Sequence, residues 1–262
     1  MQLSFSKYQG TGNDFILINQ LEEAQALDTA AIAKLCHRKF GIGADGLMLL
    51  QKTEGYDFRM VYYNADGKEG SMCGNGGRCI TRFAYDCGIR KGIYNFIAID
   101  GPHEASIELN GLIRLRMKNV DGYDSHTMFD VVDTGSPHVV KDVQDLTGYE
   151  VYEEGKAIRS SKKYMEAGIN VNFVQVLDNS MLYVRTFERG VEDETLSCGT
   201  GVTAAALVHA HNERGFNHVE IKTNGGRLFV EFDKTGDRSF ENIWLIGPVE
   251  KVFDGSLTLP IA

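Results

Sequence analysis

Two stretches, MCGNGGRC at Met72–Cys79 and SCGTGVT at Ser197–Thr203, each set a cysteine directly before a glycine-punctuated turn. Each then runs into helical spacing: Ile80, Phe83, Ala84 and Cys87 after the first, and Val202, Ala205, Ala206 and His209 within Val202–Ala210 after the second. The shared pattern C-G-(N/T)-G therefore puts two thiols at or just before helix N-termini, and the chain reads as halves of a duplicated fold. Unpaired N–H groups and the positive end of the helix dipole gather there. Such a position moves a cysteine from a pKa of about 8.5 into the range of roughly 3.5–7.5, and the same N–H groups cradle a carboxylate. Facing thiols around a bound carboxylate suit removal of a proton from one face of an α-carbon and its return on the other, which is racemisation or epimerisation. Taken singly, a cysteine is more often a small buried hydrophobe, and a glycine-rich turn serves equally as a phosphate loop. The repetition carries the reading.

With 262 residues, 43% of them hydrophobic, the chain has material for two medium domains with sizeable cores. A net charge of −9 argues against nucleic acid or an anionic membrane as the partner and leaves a small molecule. No stretch has the apolar length of a membrane span, and MQLSFSKYQGTGNDF lacks the basic and apolar regions of a secretion signal, so the expected location is the cytoplasm. Five cysteines without a C-x-x-C pair fit a reducing compartment and no zinc pattern. Cys36, Cys79 and Cys87 read as packing residues.

The pattern of elements is α+β. Leu3–Tyr8, Asp14–Asn19, Leu47–Gln51 and Phe58–Tyr63 read as strands, and Thr29–Arg38 as a helix capped by Asp28. Tyr94–Ile99, Ala105–Leu109 and Ile113–Met117 form a meander with a hairpin turn at Asn110-Gly111. The polar stretch Lys118–Ser125 is the expected boundary. The order then recurs: Met128–Asp133 and Val171–Val176 flank a segment of undetermined type, followed by Met181–Phe187, the second cysteine helix, and a meander of Val219–Thr223, Leu228–Phe232 and Ile243–Ile246. Residues 1–118 form one expected lobe and 119–250 the other.

GTGNDF at Gly10–Phe15, GIGADG at Gly41–Gly46, YNADG at Tyr63–Gly67, MCGNGGRC, GSPH at Gly135–His138, NVNF at Asn170–Phe173, FERG at Phe187–Gly190 and DETLSCGTG at Asp193–Gly201 lie in an order that resembles diaminopimelate epimerases across nearly the whole chain. The resemblance implies two pseudo-symmetric lobes, each a mostly antiparallel sheet wrapped around a central helix, with the active site in the cleft between them. It also implies that Lys251–Ala262 returns to the first lobe. The implied activity is interconversion of LL- and meso-2,6-diaminopimelate, on the way to lysine and peptidoglycan precursors, with no metal and no cofactor such as pyridoxal phosphate, and the implied assembly is a homodimer.

By the same resemblance Cys73 and Cys198 are the acid/base pair, supported by His138 and Glu188. Gly74, Asn75, Gly199 and Thr200 hold the reacting carboxylate, and Asn13, Asn64, Asn170, Glu188 and Arg189 bind the amino and carboxylate groups. Ser136 stands where the family commonly has asparagine, so a shorter group with one donor hydrogen replaces an amide. Two other readings stay open: a proline or hydroxyproline racemase of the same fold, and a binding or thiol-redox protein without epimerase activity.

Overall fold

The computed structural model describes residues 2–23, 25–178 and 180–258. The chain divides into two compact units, Met1–Leu115 with Pro248–Ala262 and Arg116–Gly247. The first unit contains β1 (Gln2–Gly10), β2 (Asn13–Gln20), α1 (Thr29–Cys36), β3 (Gly46–Gln51), β4 (Phe58–Asn64), α2 (Gly74–Asp86), β5 (Tyr94–Ala98), β6 (Gly101–Ile107) and β7 (Ile113–Arg116). The second has β8 (Asp124–Ser125), β9 (Asp130–Asp133), β10 (Pro137–Asp142), α3 (Val151–Arg159), β11 (Asn170–Asp178), β12 (Met181–Glu188), β13 (Asp193–Thr195), α4 (Gly199–Val208), β14 (Gly215–Thr223), β15 (Gly226–Lys234) and β16 (Phe240–Gly247). The chain then returns: β17 (Glu250–Thr258) pairs antiparallel with β1 of the first unit. Residues 259–262 of the expected returning segment lie outside the described residues.

The duplication is written in the sense of the strand pairings. Along the first unit, β17–β1 and β1–β2 are antiparallel, β2–β3 parallel, β3–β4 antiparallel, β4–β5 parallel, and β5–β6 and β6–β7 antiparallel. Along the second, β8–β9 and β9–β10 are antiparallel, β10–β11 parallel, β11–β12 antiparallel, β12–β14 parallel, and β14–β15 and β15–β16 antiparallel. The order of senses is the same. A parallel pair needs a crossover, and the helices supply it: α1 and α3 span the first parallel pair of their units, α2 and α4 the second. The segment left undetermined by the sequence is β10 and α3. Its helix escapes periodicity because only Val151 and Gly155 are buried in it.

One helix in each unit is wrapped. The α2 helix packs on β1, β2, β3 and β6, and α4 packs on β9, β10, β11, β12, β14, β15 and β16. In α4 the residues from Val202 through Leu207 are all buried, so side chains face protein on every side. The small residues Ala204, Ala205 and Ala206 allow that close approach. By contrast α1 and α3 lie on the outside of their sheets. α1 is capped as read from sequence: Asp28 accepts the Ala31 N–H at 2.7 Å. Leu35, Ile16 and Leu47 belong to the core beneath α1, and Val151, Phe173 and Phe187 to that beneath α3.

Candidate active site

Each unit carries its cysteine at the N-cap of its wrapped helix. Cys73 caps α2 in extended backbone (φ −103°, ψ 148°), and its Sγ accepts the Gly76 N–H at 3.1 Å. Cys198 caps α4 (φ −119°, ψ 113°), with Sγ 3.5 Å from Thr200 Oγ1. The glycines after each thiol have a packing reason. A Cβ on Gly76 would lie 3.2 Å from Cys73 Sγ, and one on Gly201 would lie 2.2 Å from Asn172 Oδ1.

In the first unit the thiol looks onto a polar turn. The β1–β2 hairpin turns through Thr11 (φ 50°) and Gly12 (φ 86°), a left-handed pair that is costly for a β-branched residue. Just past it, Asn13 Oδ1 lies 3.8 Å from Cys73 Sγ and 3.4 Å from Asn75 Nδ2. The Asn13 amide is oriented from behind, since its Nδ2 donates to Asp45 at 2.6 Å. Asp45 and Asp14 share Arg38, each at 2.7 Å, and Lys7 reaches Asp14 at 2.7 Å. Burial alone would raise the Asp14 carboxyl, but the hydrogen bonds and charges of Arg38 and Lys7 hold it down at about 2. Asn64 ends β4 as the start of a tight turn, its carbonyl accepting from Gly67 at 2.9 Å. It is exposed, with its side chain against Gly70.

In the second unit Ser136, Asn170 and Arg189 form a cluster. Ser136 Oγ accepts from Asn170 Nδ2 at 2.9 Å and from Arg189 Nη2 at 3.2 Å. Asn170 Oδ1 accepts the Arg189 backbone N–H at 2.9 Å, and Arg189 Nη1 donates to the Ala167 carbonyl at 3.0 Å. The guanidinium is thus oriented by oxygens on two sides while the residue stays exposed. With both donors spent on its lone pairs, the Ser136 hydroxyl proton is free to turn outward as a donor. Glu188 accepts from Thr195 Oγ1 at 2.9 Å, which ties the end of β12 to the short β13.

His138 is fully buried on β10. Asn172 Nδ2 donates to the Val139 carbonyl at 2.9 Å and lies 3.0 Å from His138 Nδ1, while Asn172 Oδ1 accepts from Thr186 at 2.9 Å. With the amide so oriented, Nδ1 accepts and the ring proton sits on Nε2. Burial first, and the Arg189 charge second, push the imidazole down to about 3, so it is neutral. Among the described residues Nε2 has no hydrogen-bond partner.

The remaining cysteines are of another kind. Burial pushes Cys36 and Cys87 up to about 11 and Cys79 higher still. All five are free thiols. Cys79 and Cys36 are buried, whereas Cys87 is only half-buried, at the C-cap of α2.

Three residues escaped the sequence reading. Asn172 orients His138, Arg78 lies fully buried under the Cys73 turn, and Thr195 holds Glu188. The signal for part of this was present: Thr11-Gly12-Asn13-Asp14-Phe15 and Thr134-Gly135-Ser136-Pro137-His138 both open on Thr-Gly and both lead from an antiparallel strand into the strand that starts a parallel pair, although the first loop has two residues and the second three. Phe15 faces Gly46 across β2–β3 as His138 faces Asn170 across β10–β11. Asn13 therefore corresponds to Ser136, and Met48 to Asn172.

The register leads to a test. The Gly201→Ala methyl meets an Asn172 amide held on three sides by His138, Val139 and Thr186, so it has no room to retreat. We expect a loss of about 1–3 kcal/mol, read as a fall in Tm of several degrees. An unchanged melting curve would refute this picture of the contact.

A family model described as diaminopimelate epimerase matches residues 5–120 and 130–252. The chain belongs to the diaminopimelate epimerase family. It is thereby an isomerase, of a family that interconverts LL- and meso-diaminopimelate. It is 49% identical over 253 residues to the diaminopimelate epimerase of Flavobacterium psychrophilum, covering 96% of this chain and 98% of the other. Against that of Chlorobaculum tepidum it is 41% identical, covering 95% and 99%. Among solved structures, a Bacillus anthracis phenazine biosynthesis protein of the PhzF family superposes with a TM-score of 0.76 at 16% identity, covering 99% of this chain and 100% of that one. A hydroxyproline epimerase from Agrobacterium vitis superposes with a TM-score of 0.70 at 12% identity, covering 98% and 92%. At such identities these structures share the fold with this family member and nothing narrower.

Proposed function

We propose that the chain epimerises 2,6-diaminopimelate at one α-carbon by a two-base proton transfer between Cys73 and Cys198. The observation that carries this reading is the repeat itself: each unit presents one thiol as the N-cap of its buried helix. Inversion at carbon needs one group to take the proton from one face and another to return one on the opposite face, and a duplicated fold with one thiol in each unit supplies two such groups.

A thiolate takes the α-proton and becomes a thiol. The electron pair of the broken C–H bond moves toward the α-carboxylate. The second thiol then delivers its proton to the opposite face and is left as thiolate, so each turnover exchanges the protonation states of the pair. The N–H groups of Gly74, Asn75, Gly199 and Thr200 are assigned to the carboxylate, where preorganised donors stabilise the developing charge by roughly 3–4 kcal/mol each. Arg189, oriented by Ser136 and Ala167, has the planar fork for the distal carboxylate. Asn13, Asn64, Asn170 and Glu188 are assigned to the remaining polar groups of the substrate, and His138 and Glu188 to support of the thiols.

The net charge of −9 and the free thiols favour a cytoplasmic enzyme acting on a small molecule, and a homodimer belongs to the same reading. Among the described residues no helix is long and apolar enough to cross a membrane.

The test is freshly reduced protein with LL-diaminopimelate in D₂O, with EDTA and without pyridoxal phosphate. The expected result is α-deuteration together with meso product. Exchange on proline or hydroxyproline instead, or no exchange on any amino acid, would overturn the assignment.

A further inference from the structure

Arg78 is completely buried in the first turns of α2, and among the described residues its hydrogen bonds go to uncharged oxygens. Nη1 donates to the Gly74 carbonyl at 3.3 Å, and Nη2 to Thr11 Oγ1 at 3.2 Å and Asn75 Oδ1 at 3.0 Å. Its Nε has no partner among the described residues. Arginine is almost never fully buried without an anion, because removing the charge from water costs several kcal/mol. Here the helix N-terminus adds further positive potential. Burial lowers the guanidinium to about 10, which leaves it protonated at neutral pH. Among the described residues this cation has no carboxylate partner.

The side chain runs back along α2 toward the N-cap, and the carbonyl it grips belongs to the residue next to Cys73. The second unit differs at this place. Five residues after Cys198 stands Thr203, whose hydroxyl donates to the matching Gly199 carbonyl at 2.9 Å. The same acceptor is satisfied there by a neutral group.

We propose that Arg78 is a positioning residue whose buried charge holds Cys73 as the thiolate of the resting enzyme. This deepens the two-thiol reading and rests on it. Cys73 Sγ already accepts the Gly76 N–H at 3.1 Å, a contact that favours the anion, whereas the opposing contact with Asn13 Oδ1 is long, at 3.8 Å. The other groups near the thiol do not supply the missing anion. Cys79 is kept neutral by burial. Asp100, which accepts the Met72 N–H at 3.3 Å, is occupied by His103 at 3.2 Å, and Asp45, behind Asn13, by Arg38 at 2.7 Å. Met48 and Met60, nearest the helix start from β3 and β4, are neutral. Arg78 also orients Asn75, whose amide in turn reaches Asn13 at 3.4 Å, so one cation sets both the charge and the polar wall of this half-site.

The measurement is the pH dependence of iodoacetamide alkylation of the full chain, read peptide by peptide by mass spectrometry. It needs no epimerase activity, so it fails or succeeds separately from the D₂O experiment. In the wild-type protein the Cys73 midpoint is expected to lie about one pH unit or more below that of Cys198; equal or reversed midpoints overturn the proposal. Arg78→Met is expected to raise the Cys73 midpoint by about one unit and leave Cys198 in place, and Arg78→Lys to restore most of it. A shift shared by both cysteines, or none in a folded Arg78→Met protein, would assign Arg78 to support of the Thr11 turn alone. Should the methionine variant fail to fold, Arg78→Gln, neutral but still a donor, is judged by the same criterion, and the wild-type midpoints decide regardless.

Discussion

Cys73→Ala and Cys198→Ala will each lower the rate of LL-to-meso interconversion by at least about a thousandfold. A positioned acid or base contributes roughly 10²–10⁴, and here each thiol serves as base in one direction and acid in the other, so neither loss can be compensated by its partner. The two variants differ in their side effects. Cys73 Sγ caps α2 through the Gly76 N–H at 3.1 Å, whereas the Cys198 side chain makes no cap hydrogen bond to α4. Cys73→Ala therefore also costs about 1 kcal/mol of stability, and far-UV circular dichroism should accompany the chiral chromatography that follows the reaction. Retention of a tenth of wild-type turnover in either variant would sink the two-base scheme.

Acid will weaken the fold through His138 well before the carboxylates titrate. The imidazole is buried neutral, with its protonation pushed down to about 3 from an ordinary 6.5, so below pH 6.5 the unfolded chain binds a proton that the folded chain refuses. Stability is then independent of this group above about 6.5 and falls as pH drops toward 3, by up to about 1.4 kcal/mol per pH unit. Between pH 7 and 5 the expected loss is about 2 kcal/mol. His209 runs the other way. Burial would lower it, but its hydrogen bonds to Asp142 and the Ala205 carbonyl raise it overall, so its contribution is present at low pH and lost as pH rises through its folded value. Comparing His138→Gln with wild type isolates the first effect: urea midpoints at pH 7 and 5 should converge in the variant and separate in the wild type. Parallel behaviour would mean that His138 is charged in the fold or solvated. The Asp14 carboxyl, held at about 2, contributes its stability above about 4 and loses it only as pH falls through 2, below this window.

The two half-sites differ in a way their matching strand pairings hide. Where the second unit has His138 and Asn172, the first has Phe15 and Met48; where the first has Arg78, the second has Thr203. The duplicated backbone repeats the thiol and its helix, and the polar surroundings are what make one half unlike the other.

The thiols, the helices behind them and the meanders were legible from local pattern alone, because glycine turns, caps and strand alternation are local physics. Helix α3 was not, since a helix lying on the outside of a sheet with Val151 and Gly155 as its buried residues leaves little periodicity to read. Nor was the importance of Arg78 and Asn172. Both stand inside motifs that were recognised, MCGNGGRC and NVNF, yet a single string shows neither that a guanidinium has lost its water nor that an amide faces an imidazole. The order of residues by itself determined the repeat, the position of each cysteine at a helix start and membership of the family. Only the tertiary structure decided which groups are buried against which, and hence the tautomer of His138 and the isolation of the Arg78 charge, because desolvation and hydrogen-bond geometry arise from strands and helices distant in sequence closing around one another.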